Sequence, residues 1–193
     1  MRNWLLPFFL VARASALLLA GLLGLATSCR QSAAPAAADA AVLMANDFEH
    51  NLGWGGEQPS LTTALAHSGQ AAVLASPQQP FSYTFARSLG ELCPSTLPHR
   101  LELTGWVLRT AAGSTARLVV QVVASHTSEA AVAYAALPLA PAVATYGEWV
   151  AVKLPLELPA TATGANLLKV YLWNDQGTLP TYLDDVVLRR MAD

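Results

Sequence analysis

The sequence predicts an all-β fold in which two antiparallel sheets pack as a sandwich. From Val42 onward it runs in short segments that are either solidly apolar or alternate apolar with polar residues, and Gly, Pro, Asn or Asp interrupts them about every 8 to 15 residues. That cadence suits a sandwich of many short strands. The prolines agree: Pro138, Pro141, Pro155 and Pro159 fall at segment ends or between segments, where a missing backbone donor costs little. Several segments also sort their side chains onto two faces, as a strand with one face in a core must.

Nine strands follow, over residues 41–48, 70–76, 81–87, 99–109, 115–125, 131–137, 148–156, 166–174 and 182–190. In the third, Phe81, Tyr83 and Phe85 alternate on one face and are expected to fill the core. In the fourth, Leu101, Leu103 and Val107 point inward, and Glu102, Thr104 and Trp106 point out. In the fifth, Leu118, Val120 and Val122 share the inner face, opposite Arg117, Val119 and Gln121. The sixth is alanine-rich, and its propensity alone would allow a helix; its shortness and its clear strand neighbours make it a strand. The seventh opens on Gly147-Glu148-Trp149, with Trp149 expected in the core or at an edge. In the eighth, Leu168, Val170 and Leu172 face in, leaving Lys169, Tyr171 and Trp173 outside. The ninth carries two adjacent acids in an apolar run, Asp184-Asp185 within Tyr182-Leu183-Asp184-Asp185-Val186. Trp54, in the turn from Gly53 to Gly56, is expected to cover an end of the sandwich.

Ahead of this domain lies a leader. Arg2, an apolar run from Leu5 to Leu25 interrupted by Pro7 and Arg13, and small residues before Cys29 make a signal peptide over residues 1–28. The run is too interrupted for a comfortable membrane span, which needs about 20 clean apolar residues, although an N-terminal anchor helix is the competing reading. Leu25-Ala26-Thr27-Ser28-Cys29 resembles a lipoprotein cleavage site, which implies acylation of Cys29 and a lipid anchor in the membrane. Residues 29–41, mostly alanine, serine and proline, read as a flexible tether, and residues 42–193 as the domain. Arg30 after the cysteine, in place of an inner-membrane-retaining aspartate, favours the bacterial outer membrane.

The chain after cleavage holds nine basic residues against thirteen acidic ones, a net charge of −4. Nucleic acid is therefore not an expected partner, since binding it needs clustered positive charge. With Cys29 acylated, Cys93 has no partner for a disulfide and reads as a spectator thiol.

Taken in order, Asn46-Asp47-Phe48-Glu49 with Gly53-Trp54, His67-Ser68-Gly69, Leu103-Thr104-Gly105-Trp106-Val107, Gly147-Glu148-Trp149, Val170-Tyr171-Leu172-Trp173-Asn174 and Tyr182-Leu183-Asp184-Asp185-Val186 resemble a known family. It is the carbohydrate-binding modules of the galactose-binding-like jelly-roll class, CenC-type. The resemblance implies a two-sheet jelly roll and a structural calcium ion, with Glu49 and Asp184 as side-chain ligands and carbonyls near Ser68 completing the 6 to 8 oxygens such an ion takes. An acid there that only caps a bulge or pairs with an arginine is the alternative.

The resemblance also implies a glycan cleft on a concave sheet. A pyranose has apolar C–H faces that stack on indole or phenol rings and hydroxyls that need polar partners at the edge. The outward rows offer Trp106, Trp173 and Tyr171 as platforms and Glu102, Arg117, Gln121 and Lys169 as hydrogen-bonding groups. One residue of register error would move any row into the core. Catalysis is not expected: Glu102 is the one acid placed on the cleft, where glycoside hydrolysis needs two. His50, His67, His99 and His126 lack metal-ligand spacing, and no nucleophile elbow or phosphate loop is present. A non-catalytic glycan-binding lipoprotein is the expected function, with a structural or adhesive module for a protein partner as the alternative.

Overall fold

The computed structural model describes residues 42–56 and 59–192; the leader, the tether and Cys29 lie outside the described residues. Among the described residues eleven strands are present: β1 (Val42–Asn46), β2 (Trp54–Gly55), β3 (Leu61–Thr62), β4 (Ala72–Ala75), β5 (Thr84–Ser88), β6 (Arg100–Arg109), β7 (Ala116–Ser125), β8 (Ser128–Pro138), β9 (Trp149–Glu157), β10 (Leu167–Asn174) and β11 (Thr181–Arg190). Two single-turn helices, α1 (Leu89–Leu92) and α2 (Leu139–Ala142), join them. All nine expected strands form, and β2 and β3 are two-residue additions too short to leave a periodic signal.

The strands make two antiparallel sheets. One holds six strands in the order β3-β4-β11-β6-β9, with β1 also paired to β11; the other holds five, in the order β2-β5-β10-β7-β8. The core lies between them. Leu101, Leu103 and Val107 of β6 and Leu183, Val186 and Leu188 of β11 meet Leu118, Val120 and Val122 of β7 and Leu168, Val170 and Leu172 of β10. Each residue is at or near zero exposure, so a two-residue repeat in sequence becomes a greasy layer in space.

Edge position explains the weak pattern of the alanine-rich strand. Among the described residues β8 pairs with β7 alone, and its Ala133 and Ala135 pack against the core with little side chain to offer. Pro155 stands inside β9, which pairs only with β6, so the missing N–H breaks no ladder with a second neighbour.

Two shifts of parity matter for function. Between Asp184 and Val187 of β11, three steps answer the two from Trp106 to Thr104 on β6, and Asp185 takes φ 47°. This bulge keeps Leu183 and Val186 both in the core although they stand three positions apart. Between Phe81 and Phe85, four steps answer the three from Trp173 to Val170 on β10. The extra residue turns Phe81 to the outer surface, where it is 53% exposed, and leaves Phe85 inside. The expectation of Phe81 in the core is thus corrected; Tyr83 and Phe85 do pack there. Trp54 is also buried, edge-on to Phe48 with centroids 5.0 Å apart. Cys93 is a buried free thiol whose pKa burial raises, in keeping with a spectator role.

One end of the sandwich is tied by a buried arginine. Arg109, at the end of β6, donates from Nε to the Ser114 carbonyl (2.7 Å), from Nη1 to those of Ala140 (2.9 Å) and Val143 (2.6 Å), and from Nη2 to that of Ala112 (3.4 Å). It thereby holds the β6–β7 turn and α2 together while Tyr146 covers it at 5.1 Å. Replacing Arg109 with Met strips four carbonyls of their donor, and a loss of about 3 to 5 kcal/mol is expected. Urea unfolding should show it as a lower midpoint at unchanged slope.

Candidate functional site

The outer surface of the five-stranded sheet collects most of the expected site. Along β10, Lys169, Tyr171 and Trp173 point away from the core, and the register sets them beside Gln121, Val119 and Arg117 of β7. Tyr134 of β8 stands opposite Gln121, and Phe81 bridges to Trp173. Phe81 lies nearly parallel to Trp173, at 6.4 Å between centroids and 12° between planes, and edge-on to Tyr171 at 5.9 Å. The result is a contiguous aromatic row of Phe81, Tyr171 and Trp173, with Phe81 and, further along the face, Tyr134 each 53% exposed.

Charge frames the row. The Arg117 guanidinium lies 5.8 Å from the Trp173 ring centroid, and its Nε donates to Asp175 Oδ2 at 2.6 Å. That arrangement fixes the cation against the indole and keeps its remaining N–H groups for other acceptors. At the other end Lys169 Nζ donates to Glu129 Oε1 at 2.5 Å. The Gln121 amide makes no hydrogen bond among the described residues and is open to a ligand hydroxyl.

Five expected site residues, Trp173, Tyr171, Arg117, Gln121 and Lys169, therefore meet on one face. Trp106 and Glu102 do not. Their strand, β6, belongs to the six-stranded sheet, so both side chains leave the opposite surface of the sandwich, with the core in between. Alternation had assigned them correctly to an outer row, but alternation cannot say which of two sheets a strand joins. Phe81 and Tyr134 were missed for related reasons: one hides behind a bulge, and the other is the lone aromatic of an alanine-rich edge strand.

On that second surface the paired acids serve one turn. Asp184, fully buried, accepts from the backbone N–H groups of His67 (2.7 Å) and Ser68 (3.2 Å) with Oδ2, and from that of Asp185 (2.7 Å) with Oδ1. Burial pushes its carboxyl up, the three N–H groups draw it back, and the charge of Asp185 adds to the upward push. Asp185 reaches the side chains of the same turn, His67 Nδ1 at 2.5 Å and the Ser68 hydroxyl at 2.7 Å. His67 then stacks on Trp106 (3.9 Å, 14°) and meets Trp149 edge-on (5.8 Å).

Glu49 grips the other end of the turn, its Oε1 accepting from Gln70 N–H (2.7 Å) and Ala71 N–H (2.8 Å). Gly69, just before them, has φ 57°, and a Cβ there would run into the Glu49 carboxylate, so glycine is required. Among the described residues Glu49 Oε2 takes no N–H, and Asp184 Oδ1 takes one, so both carboxylates keep lone pairs that suit a hard cation. Among the described residues no group of three or more His, Cys, Asp or Glu stands together as a metal cluster, so carbonyls or water would have to supply the remaining ligands.

No protein-family model matches the sequence, and no curated protein matches it. Solved structures do resemble the fold. The CBM22-1 xylan-binding domain of Paenibacillus barcinonensis Xyn10C superposes with a TM-score of 0.52 at 20% identity, covering 79% of this chain and 96% of that one. The tandem CBM22-1-CBM22-2 domain of the same protein gives 0.52 at 17% identity, covering 78% and 50%. The C-terminal family 22 carbohydrate-binding module of Clostridium thermocellum Xyn10B gives 0.51 at 15% identity, covering 80% and 98%. At these identities the likeness is one of fold: the chain is a two-sheet antiparallel jelly-roll β-sandwich of the kind found in carbohydrate-binding modules.

Within the aromatic row, Tyr171 has its phenol pushed up to about 12, by burial first and then by the neighbouring Tyr134 and Glu129. The folded protein therefore keeps this proton where the unfolded chain releases it, from about pH 10 upward, and stability must fall as pH rises through that window. Alkaline unfolding of the parent and of Tyr171→Phe should show it: the parent loses stability relative to the variant above about pH 10, and the two run parallel below.

Proposed function

We propose that this chain is a non-catalytic glycan-binding module that holds a polysaccharide on the outer face of the five-stranded sheet. The observation that carries the reading is the contiguous row of Phe81, Tyr171 and Trp173 with Arg117, Gln121 and Lys169 at its margins. Rings in a row offer successive sugars apolar platforms, and the polar margin accepts or donates to hydroxyls that would otherwise lose their water bonds. The likeness of the fold to xylan-binding modules supports the same reading and makes xylan the first glycan to try. A non-catalytic role is supported by the acids on this face: Glu129 and Asp175 are each committed to a cation, whereas glycoside hydrolysis needs a free pair about 5 to 10 Å apart.

The proposal includes the setting read from the sequence. A lipid on Cys29 would tether the module to the outer membrane through residues 29–41, leaving the sandwich free to search for polymer. It also includes a structural calcium ion held by Glu49 and Asp184. The ion would offset the cost of a buried carboxylate and clamp the turn at 67–71 to β11.

Two measurements test these statements. Affinity electrophoresis or calorimetry of the purified protein against xylan and a panel of other neutral polysaccharides should show binding. Trp173→Ala should weaken it at least tenfold, from the loss of one stacking platform, while Trp106→Ala leaves it unchanged. No binding across the panel would defeat the glycan reading and favour a protein partner. For the ion, saturating calcium should raise the melting temperature by about 5 °C or more over the chelated protein, and Glu49→Gln should abolish the difference. Identical melting with and without calcium removes the ion.

A further inference from the structure

The exposed face of the six-stranded sheet has its own depression, of about 400 Å³, on the far side of the core from the aromatic row. Thr104, Trp106, Lys153, Asp185, Val187 and Arg189 contribute to its lining. The register explains why they meet: Thr104 of β6 sits between Lys153 of β9 and Val187 of β11, and Arg189 follows two residues on along the same face. Arg189 Nη1 reaches Thr104 Oγ1 at 3.5 Å.

The charges here differ from those across the sandwich. On the five-stranded sheet Arg117 and Lys169 are both paired with carboxylates. In this depression Lys153 makes no ion pair or hydrogen bond among the described residues, and Arg189 makes only the long contact to Thr104. Two cations without an ion pair among the described residues thus flank one threonine in a chain whose net charge is negative. Asp185 lines the same space, but both its oxygens are taken, by His67 and Ser68. Glu102 is the cross-strand partner of Arg189 on this surface, yet it forms no ion pair with it and lies outside the lining.

The remaining walls are apolar and fixed. His67 stacked on one face of Trp106 stops the indole from swinging, and Val187 adds an aliphatic floor. The volume suits one six-membered ring with its substituents. A planar carboxylate matches the fork of an arginine guanidinium beside a lysine ammonium, and an apolar ring face matches indole and valine.

We propose that this depression is a second, independent binding site, for a hexuronate: a pyranose bearing a carboxylate. Lys153 and Arg189 receive the carboxylate, Thr104 bonds a ring or carboxylate oxygen, and Trp106 with Val187 carries the ring. The site is separate from the glycan face proposed above and needs none of its residues.

The test is an NMR titration of the purified protein with sodium D-glucuronate, with D-glucose and inorganic phosphate as comparison ligands. Glucuronate should shift the Trp106 indole signal saturably, glucose should not, and phosphate should bind more weakly than glucuronate because it lacks the ring. Lys153→Gln and Arg189→Gln should each weaken glucuronate binding roughly tenfold, and Glu102→Gln should strengthen it. Trp173→Ala should leave it unchanged. Lys153 and Arg189 are surface residues, so unchanged thermal melts will confirm that the variants are folded. The proposal is overturned if the Trp106 signal does not move, if glucose binds as well as glucuronate, if phosphate binds as tightly as glucuronate, or if neither charge-removing variant changes the affinity.

Discussion

A strand that alternates strictly would send Asp184 and Asp185 to opposite faces and would put one of them in the core. The bulge in β11 prevents this. Asp185 takes a left-handed conformation, and both carboxylates end on the same turn, one gripping the backbone of His67 and Ser68 and the other their side chains. Burying Asp184 completely would be costly without partners, and its three backbone donors offset that cost. The same strand edge is divided between β4, on Thr181–Leu183, and β1, on Val186–Arg189, so the bulge lies where two partners meet. Glu49, three residues beyond β1, closes the arrangement from the other end of the turn. The start, the middle and the end of the domain are thus tied at one place.

From this tie follows the character of the six-stranded sheet's outer surface. The turn at 67–71 carries His67 onto Trp106, and the His67–Asp185 contact holds the imidazole parallel to the indole. One half of the face is thereby covered, while the other half, around Thr104, remains open and positively charged. The five-stranded sheet keeps Phe81 and Tyr134 half exposed, although Val119 of the same face is buried. Its outward side chains stand in rows set by the β10–β7 register, and each cation there is balanced by a carboxylate. One sandwich therefore presents two surfaces of different chemistry, an aromatic row and a depression lined by Lys153 and Arg189. The apolar core between them separates the two surfaces.

Much of this was legible in the residues. The inward triplets Leu101-Leu103-Val107, Leu118-Val120-Val122 and Leu168-Val170-Leu172 all stand in the core, because a half-buried strand must repeat every two residues. The outward trio Lys169, Tyr171 and Trp173 was equally readable, and its meeting with Arg117 and Gln121 needed only that β10 and β7 be neighbours. Glu49 and Asp184 were singled out by the family resemblance, and in the structure both accept backbone N–H groups of the turn at 67–71.

Periodicity along one chain thus determined which side chains face a core and which do not, since that depends only on the geometry of an extended backbone. Sheet membership was decided by long-range pairing, which no local pattern encodes: Trp106 and Trp173 share outward parity but end on opposite surfaces. The bulges near Phe81 and at Asp185 were likewise decided by tertiary structure, because a single extra residue reverses parity and shows itself only against the partner strand.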